Sequence, residues 1–331
     1  MKRREFVTLL GSAAAWPFAA RAQQPAVASP DGVMGPATSK FDPRTTPARG
    51  DLAARHLAGT VEAERFVEGK AYEIAGPQAP VRSAPSHEAS LLTEALKGEG
   101  LTIYDISEEG WAWGQLAADG YVGYLPAGAL CAPGASATHK VSALRTLVFP
   151  APSIKLPPME ALSFGCQLAI ARIDEPFAIT TSGGHVPSLH LATMETMETD
   201  FVAVIERFLG TPYLWGGKTS LGIDCSGLLQ LALTACGTPC PRDTDMQEQA
   251  LGSAVARPHA PDELRRGDLL FWKGHVAIVR DGETLVHASA HQMAVTIEPV
   301  ASAIVRIRVG SMPLRVRWAQ IRLAAAGGER W

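Results

Sequence analysis

The sequence predicts an α+β protein in which a mixed helix-and-sheet unit follows two small β-barrels. Three observations predict it. Between 60 and 133, short strand-like runs alternate with glycine turns. From 134 to 195 a looser version of that pattern returns. From 196 to 331, a nearly all-apolar helix lies between a Gly-Gly loop and two β-branched strands. The chain of 331 residues exceeds one typical domain and can bury a sizeable core. Its 47% hydrophobic and 19% charged content is that of an ordinary globular protein, and a net charge of −3 leaves no basic footprint for nucleic acid.

Residues 1–22 read as an export signal. Arg3-Arg4-Glu5-Phe6 is a twin-arginine pattern, the apolar stretch 7–20 is too short to span a bilayer as a mature helix, and Ala20-Arg21-Ala22 fits small-x-small cleavage. Periplasmic delivery of a folded protein is the expectation; an ordinary cytoplasmic N-terminus is the alternative. Nothing else in the chain is long and apolar enough for a stable membrane span. Residues 23–59, rich in Pro, Ala, Gly and Thr in their first part, read as a linker with little structure.

The first barrel (60–133) is expected from strands at 70–75, 100–106, 110–116 and 120–126. The second unit (134–195) opens at 139–144, runs through 164–170 and 177–179, and ends near 185–191; it lacks the tryptophan pair of the first. An amphipathic helix over 200–209 opens the last unit. Residues 311–331, partly basic, either close its sheet or stay apart from it.

Cys225 carries the chemistry. It stands in Asp224-Cys225-Ser226-Gly227-Leu228, just after the aromatic run at 210–217. Residues 226–236 read as a short buried helix with Gly237 as its C′ residue. The attacking species is a thiolate, and a free cysteine has a pKa of about 8.5. A helix N-terminus and an adjacent imidazolium both lower it. Asp224 suits the N-cap or a substrate amine, and the unpaired N–H groups of the first turn suit an oxyanion.

Two histidines follow on strands, in Gly274-His275-Val276-Ala277-Ile278-Val279 and Val286-His287-Ala288. A two-residue loop would set them on opposite faces. A three-residue loop, Arg280-Asp281-Gly282 with Gly282 left-handed, pairs His275 directly with His287 on one face. That register is the expectation. His275 is then the base, ion-paired with the Cys225 thiolate, and His287 holds its tautomer. No cofactor is required: a Cys-His-His zinc site has no clear fourth ligand and no close-spaced ligand pair. Cys131, Cys166, Cys236 and Cys240 read as small buried hydrophobes. Cys236 and Cys240 could pair across Gly-Thr-Pro, although disulfides are not expected.

These motifs, with Phe208 to Gly217, Pro241-Arg242-Asp243-Thr244 and Arg266 to Trp272, resemble the NlpC family of cell-wall cysteine endopeptidases over about 200–300. That family has a papain-like α+β fold. Gly-Trp-x-Trp followed by Asp-Gly-Tyr-x-Gly-Tyr, over 110–124, is similar to a bacterial SH3-like domain, so both barrels are expected to be SH3-like. The resemblance implies hydrolysis of the bond between γ-D-glutamate and a diamino acid in peptidoglycan stem peptides. It implies Cys225 as nucleophile, His275 as base and His287 as orienting residue. It further implies peptide binding by Tyr213, Trp215, Asp224, Ser226, Asp243 and Thr244, the last standing where the family carries Ser. In members with a leading barrel, a Glu and a Tyr of that barrel read the free N-terminus of the stem peptide; Glu88 and Tyr121 are the candidates here. Such a lid admits only peptides with a free L-Ala amine.

The chemistry of these groups suits that ligand. Asp224 and Asp243 can meet an amine, and the Ser226 and Thr244 hydroxyls can meet the D-Glu carboxylate. The expected partners are peptidoglycan stem peptides or their fragments, with no nucleic acid. Amidase or acyl-transferase work at the same thiol is the alternative, as is a wall-binding protein without catalysis. The diamino acid stays open between diaminopimelate and lysine.

Overall fold

The computed structural model describes residues 41–254, 264–310 and 318–320. The expected signal at 1–22, the first part of the expected linker and most of 311–331 lie outside the described residues. Among the described residues no helix is long and apolar enough to cross a membrane.

Seven strands form the first sheet, in the spatial order Leu130–Cys131, Lys70–Ile74, Gly100–Ile106, Trp111–Leu116, Val122–Pro126, Gln78–Arg82 and Leu91–Leu96. All neighbours are antiparallel. Alternation buries Leu101 and Ile103 on one face, around a core completed by Ile74, Val81, Leu116 and Leu125. The glycine pattern did not reveal the hairpin Gln78–Arg82 with Leu91–Leu96 or the closing strand Leu130–Cys131.

The linker reading is corrected for 41–59. Short strands at Ala48–Arg49 and Leu52–Ala54 lie on the barrel, and Leu52, Ala53 and Ala54 are fully buried. The Val122 N–H donates to the Arg44 carbonyl, and Gln115 Nε2 donates to the Thr45 carbonyl. Leu52 packs with Trp113 and Val122 on the outer face of the sheet. Small side chains let the backbone approach closely enough for these bonds, so an alanine-rich composition reads as a linker yet packs as a strap.

The second unit has three small sheets rather than one, including the hairpin Arg145–Val148 with Glu160–Ser163 that its composition did not announce. It shares one core with the last unit: Val141, Leu162 and Phe164 pack in the same cluster as Phe201, Phe208 and Leu228. The Phe164 and Phe208 rings meet edge to face, 5.9 Å between centroids.

The last unit contains α1 (Phe201–Glu206), α2 (Cys225–Ala235), α3 (Thr244–Ala250) and α4 (Val300–Gly310). Asp200 caps α1 by accepting from the Val202 and Ala203 N–H groups. Ten of the eleven residues of α2 are buried, and each fully buried leucine contributes about 1.5–3 kcal/mol. The helix ends as expected: Gly237 has φ 74°, its N–H donates to Thr234, and the Thr238 N–H donates to Leu233, a Schellman closure. Its partner is an antiparallel sheet in the order Ser253–Ala254, Trp318–Gln320, Asp268–Trp272, His275–Val279, Thr284–Ser289, Ala294–Pro299. A strand from the expected C-terminal tail thus enters the sheet.

The barrel docks on this unit through buried polar groups. Lys218 Nζ lies 2.9 Å from Glu99, the Lys218 N–H donates to Glu94 Oε2, and Arg242 Nε donates to Thr93 Oγ1. Gly216, in the aromatic loop, has φ 76°, and a Cβ there would sit 2.6 Å from the Leu91 carbonyl oxygen of the barrel. Gly216→Ala is therefore expected to lose about 1–3 kcal/mol, from left-handed strain and the forced shift of backbone. Gly128→Ala, with nothing within 4 Å of the added carbon, is the control. Thermal unfolding checks it: equal melting temperatures for the two variants would remove the close approach as a constraint.

Candidate active site

Cys225 is the first residue of α2 and is 4% exposed. Asp224 caps the helix by accepting the Gly227 N–H at 2.7 Å, and its other oxygen accepts the Gly216 N–H at 2.9 Å. Arg242, 1% exposed, grips the same carboxylate with both terminal nitrogens, at 3.0 and 2.8 Å. Ser226 Oγ donates to Asp224 and accepts from Arg242. Asp224 therefore lines the groove but is fully committed to the protein. The expectation that it meets a substrate amine is corrected: its charge is already neutralised by Arg242, and its oxygens are filled.

The histidines come together, by a different register. Ile278 pairs with Val286 and Val279 with Leu285, which on continuation sets Ala277 opposite His287. The slip from the expected pairing is two residues, so both rings keep the same face. They meet diagonally, His275 Nε2 to His287 Nδ1, at 2.7 Å. The turn explains the slip. Gly282 is not left-handed; instead Asp281 Oδ1 accepts the N–H groups of Glu283 and Thr284. This Asx turn moves the loop one residue along.

A fourth group, Glu298, was not foreseen. His287 Nε2 lies 2.8 Å from Glu298 Oε1, close in distance though bent in angle. Arg306 of α4 holds the same oxygen. Burial pushes the Glu298 carboxyl up, but the hydrogen bonds from His287 and Arg306 outweigh it and leave the group below its ordinary value. A carboxylate on Nε2 assigns the tautomers: His287 Nδ1 accepts from His275 Nε2–H, which leaves His275 Nδ1 as the free base. The signal lay in the sheet. Thr296 faces His287, so Glu298 is its diagonal neighbour on the same face.

Burial works against the expected thiolate–imidazolium pair at both groups. Burial, then the Asp224 charge, pushes the Cys225 thiol up to about 12, against backbone N–H groups of Val276 and Ser226 that favour the thiolate. Burial, then the neighbouring His287, pulls His275 down to about 3. The Val276 contact places the sulfur beside the His275 strand.

Cys225, with Asp224 and Ser226 on either side, lines a groove of about 630 Å³ between the barrel and the last unit. Tyr213, Trp215, Ser226, Asp243, Thr244 and Tyr121 all line it. Trp215 is 64% exposed, so its ring is a rim rather than core. Tyr121 is buried in the barrel core, yet its hydroxyl donates to Asp243 Oδ2 at 3.0 Å. Arg44 donates to the same oxygen and pairs with Asp42 and Asp245. Glu88 is corrected: it is exposed and does not line the groove. Cys131 is exposed and Cys236 half-buried, unlike the buried Cys166 and Cys240. Among the described residues no group of three or more His, Cys, Asp or Glu side chains is arranged to hold a metal ion.

Residues 210–310 match the NlpC/P60 family, and residues 81–130 match the bacterial dipeptidyl-peptidase Sh3 domain. The chain carries an NlpC/P60 domain. Its solved likenesses include an NlpC/P60 family protein from Bacillus cereus, with a TM-score of 0.60 at 21% identity over 70% of this chain and 94% of that one. That likeness fixes the fold, a papain-like mixture of helices and strands with an SH3 domain. Among curated relatives, dipeptidyl-peptidase 6 of Lysinibacillus sphaericus is 43% identical over 82 residues, 25% of this chain and 29% of that protein. The gamma-D-glutamyl-L-lysine dipeptidyl-peptidase of Bacillus subtilis is 37% identical over 97 residues, 27% of this chain and 31% of that protein. The matches thus span about three tenths of those relatives.

Two outcomes follow for the NlpC/P60 site. With His275 neutral far into acid and Cys225 protonated far into alkali, the neutral pair persists across a wide window. The acid limb of kcat/KM is expected below the ordinary imidazole value of about 6.5. Iodoacetamide alkylation of Cys225, corrected for a Cys225→Ala background, is expected to climb with pH beyond the ordinary thiol value of about 8.5. A reactivity plateau through the acid range would instead reveal a pre-formed thiolate. Separately, kcat losses are expected to order as His275→Ala, then His287→Ala, then Glu298→Gln, the last by about tenfold or more with KM little changed. A larger loss in His287→Ala than in His275→Ala would exchange their roles.

Proposed function

We propose that the chain is a cysteine peptidase that hydrolyses the γ-D-glutamyl–diamino acid bond of peptidoglycan stem peptides, selecting those with a free N-terminal L-Ala. One observation carries the reading: Cys225, at the head of a buried helix, opens into a groove shared with the barrel's Tyr121, beside the strand whose His275 begins the chain through His287 to Glu298. The names of the relatives from Lysinibacillus and Bacillus support the same reaction class.

In this reading His275 Nδ1 takes the thiol proton as sulfur attacks the γ-carbonyl carbon. The first-turn N–H groups of α2 hold the oxyanion. His275 returns the proton to the departing amine of the diamino acid, leaving an L-Ala-γ-D-glutamyl thioester on Cys225. Water, deprotonated by His275, attacks the thioester and releases the dipeptide and the thiol. Asp243 meets the L-Ala ammonium through Oδ1, since Oδ2 is held by Tyr121 and Arg44. Tyr213 and Trp215 form the rim that the peptide crosses, and Ser226 and Thr244 sit below it. We also read 134–195 as a second SH3-like barrel and 1–22 as a twin-arginine export signal, giving a periplasmic protein.

Mass spectrometry of products from free L-Ala-γ-D-Glu-diaminopimelate, its lysine counterpart and intact muropeptide checks the proposal. Release of L-Ala-D-Glu from a free tripeptide is expected, together with loss of at least about a thousandfold in Cys225→Ala. Equal cleavage of sugar-linked stems would remove the free-amine requirement, and full activity in Cys225→Ala would remove the peptidase.

A further inference from the structure

Four arginines line or underlie the groove, and three of them are matched by acids. Arg44 is held by Asp42, Asp243 and Asp245. Arg49 is held by Asp51 and Asp105, with its guanidinium 4.8 Å from the Trp113 ring centre. Arg242 is held by Asp224. Arg82 lines the same groove, and among the described residues it has no carboxylate within ion-pair distance. Its Nη1 donates to the Ala89 carbonyl at 2.7 Å, while its Nε is buried with no acceptor.

Strand alternation sets this side chain on the face away from the barrel core, with Gln78, Pro80 and Arg82 alternating with the buried Ala79 and Val81. Val81 pairs with Thr93 but Arg82 pairs with Leu91, so the pairing is irregular here and the extra residue, Leu92, lies in the facing strand. Among the described residues that line the groove, this is the arginine without an acid partner. The Ala89 contact fixes one end of the guanidinium. The edge formed by Nε and Nη2 is the one that engages a carboxylate through two parallel hydrogen bonds. A buried donor without an acceptor is costly unless a partner arrives.

We propose that Arg82 is the carboxylate subsite of the groove, a specificity residue that pairs with a carboxylate of the bound peptide. The inference rests on the peptidase reading above and deepens it: the ligand is anchored as an anion by the barrel as well as read at its amine. The two carboxylates such a peptide offers are the α-carboxylate of its γ-linked D-glutamyl residue and its C-terminal carboxylate.

The test uses the full chain and three probes: L-Ala-γ-D-Glu-L-Lys, the same peptide with the D-glutamyl α-carboxylate amidated, and the same peptide with its C-terminus amidated. Arg82→Gln is expected to raise KM for the acid peptide about tenfold or more, with kcat within about twofold. For one of the two amides the wild type is expected to show that same penalty already, and Arg82→Gln to add nothing. Which amide behaves so identifies the carboxylate. Arg82→Lys keeps the charge but not the fork and is expected to fall between. An Arg82→Gln penalty equal for all three peptides, or absent from all, overturns the subsite. Calorimetric binding of L-Ala-γ-D-Glu to wild type and Arg82→Gln gives a readout that needs no turnover. If the wild type cleaves nothing yet this binding depends on Arg82, the peptidase reading fails and the subsite stands.

Discussion

The buried pair between Arg242 and Asp224 is the constraint on which the rest of the site depends. One carboxylate caps the helix that carries Cys225, holds the Gly216 N–H of the aromatic loop and receives the Ser226 hydroxyl. One guanidinium neutralises that carboxylate and reaches Thr93 of the barrel. Removing one partner of such a pair strands a charge out of water, at a cost of roughly 3–5 kcal/mol. The pair is therefore better understood as a device of position than of net stability. It sets nucleophile, rim and barrel in one register.

The same burial that gives the pair its leverage decides the state of the thiol. A helix N-terminus and two backbone N–H groups favour a thiolate, but desolvation and the nearby Asp224 charge oppose it more strongly. Desolvation likewise keeps His275 neutral. The chain from His275 through His287 to Glu298 then matters as a means of orientation. It places a proton on His275 Nε2 and a lone pair on Nδ1, and in the proposed reaction Glu298 is the carboxylate that would face an imidazolium. Arg306 tempers that carboxylate and fixes its place.

Much of this was legible because it rests on local rules. The strand at 100–106, the helix after Asp224 and its Gly237 closure follow from alternation, apolar continuity and glycine's freedom at positive φ. The two histidines could be set on one face once a three-residue loop was chosen over a two-residue one. Their exact partners could not, since an Asx turn at Asp281 and a left-handed Gly282 suit the same four residues and differ by two residues of register. Glu298 was hidden for a related reason: its face depends on where the next hairpin turns. The strap at 41–54 was hidden because alanine has no pattern strong enough to separate a packed strand from a linker. Glu88 was expected in the groove by resemblance, but it sits exposed in the loop of a hairpin whose Arg82, Ser83 and Leu92 line the groove instead.

The sequence by itself determined a cysteine at the head of a buried helix, two histidines on one face of a sheet, and the α+β character, because each is written in residue type and short spacing. Only the tertiary structure decided that Asp224 is a neutralised cap rather than a ligand for amines. Only it could place Arg242, Glu298 and Arg44 around the site, and only it set the burial that disfavours charge on the thiol and the imidazole. The physical reason is common to all of these. Charge pairing and desolvation depend on distance through space, between segments that alternation and propensity position independently, and no local pattern records which of them will meet away from water.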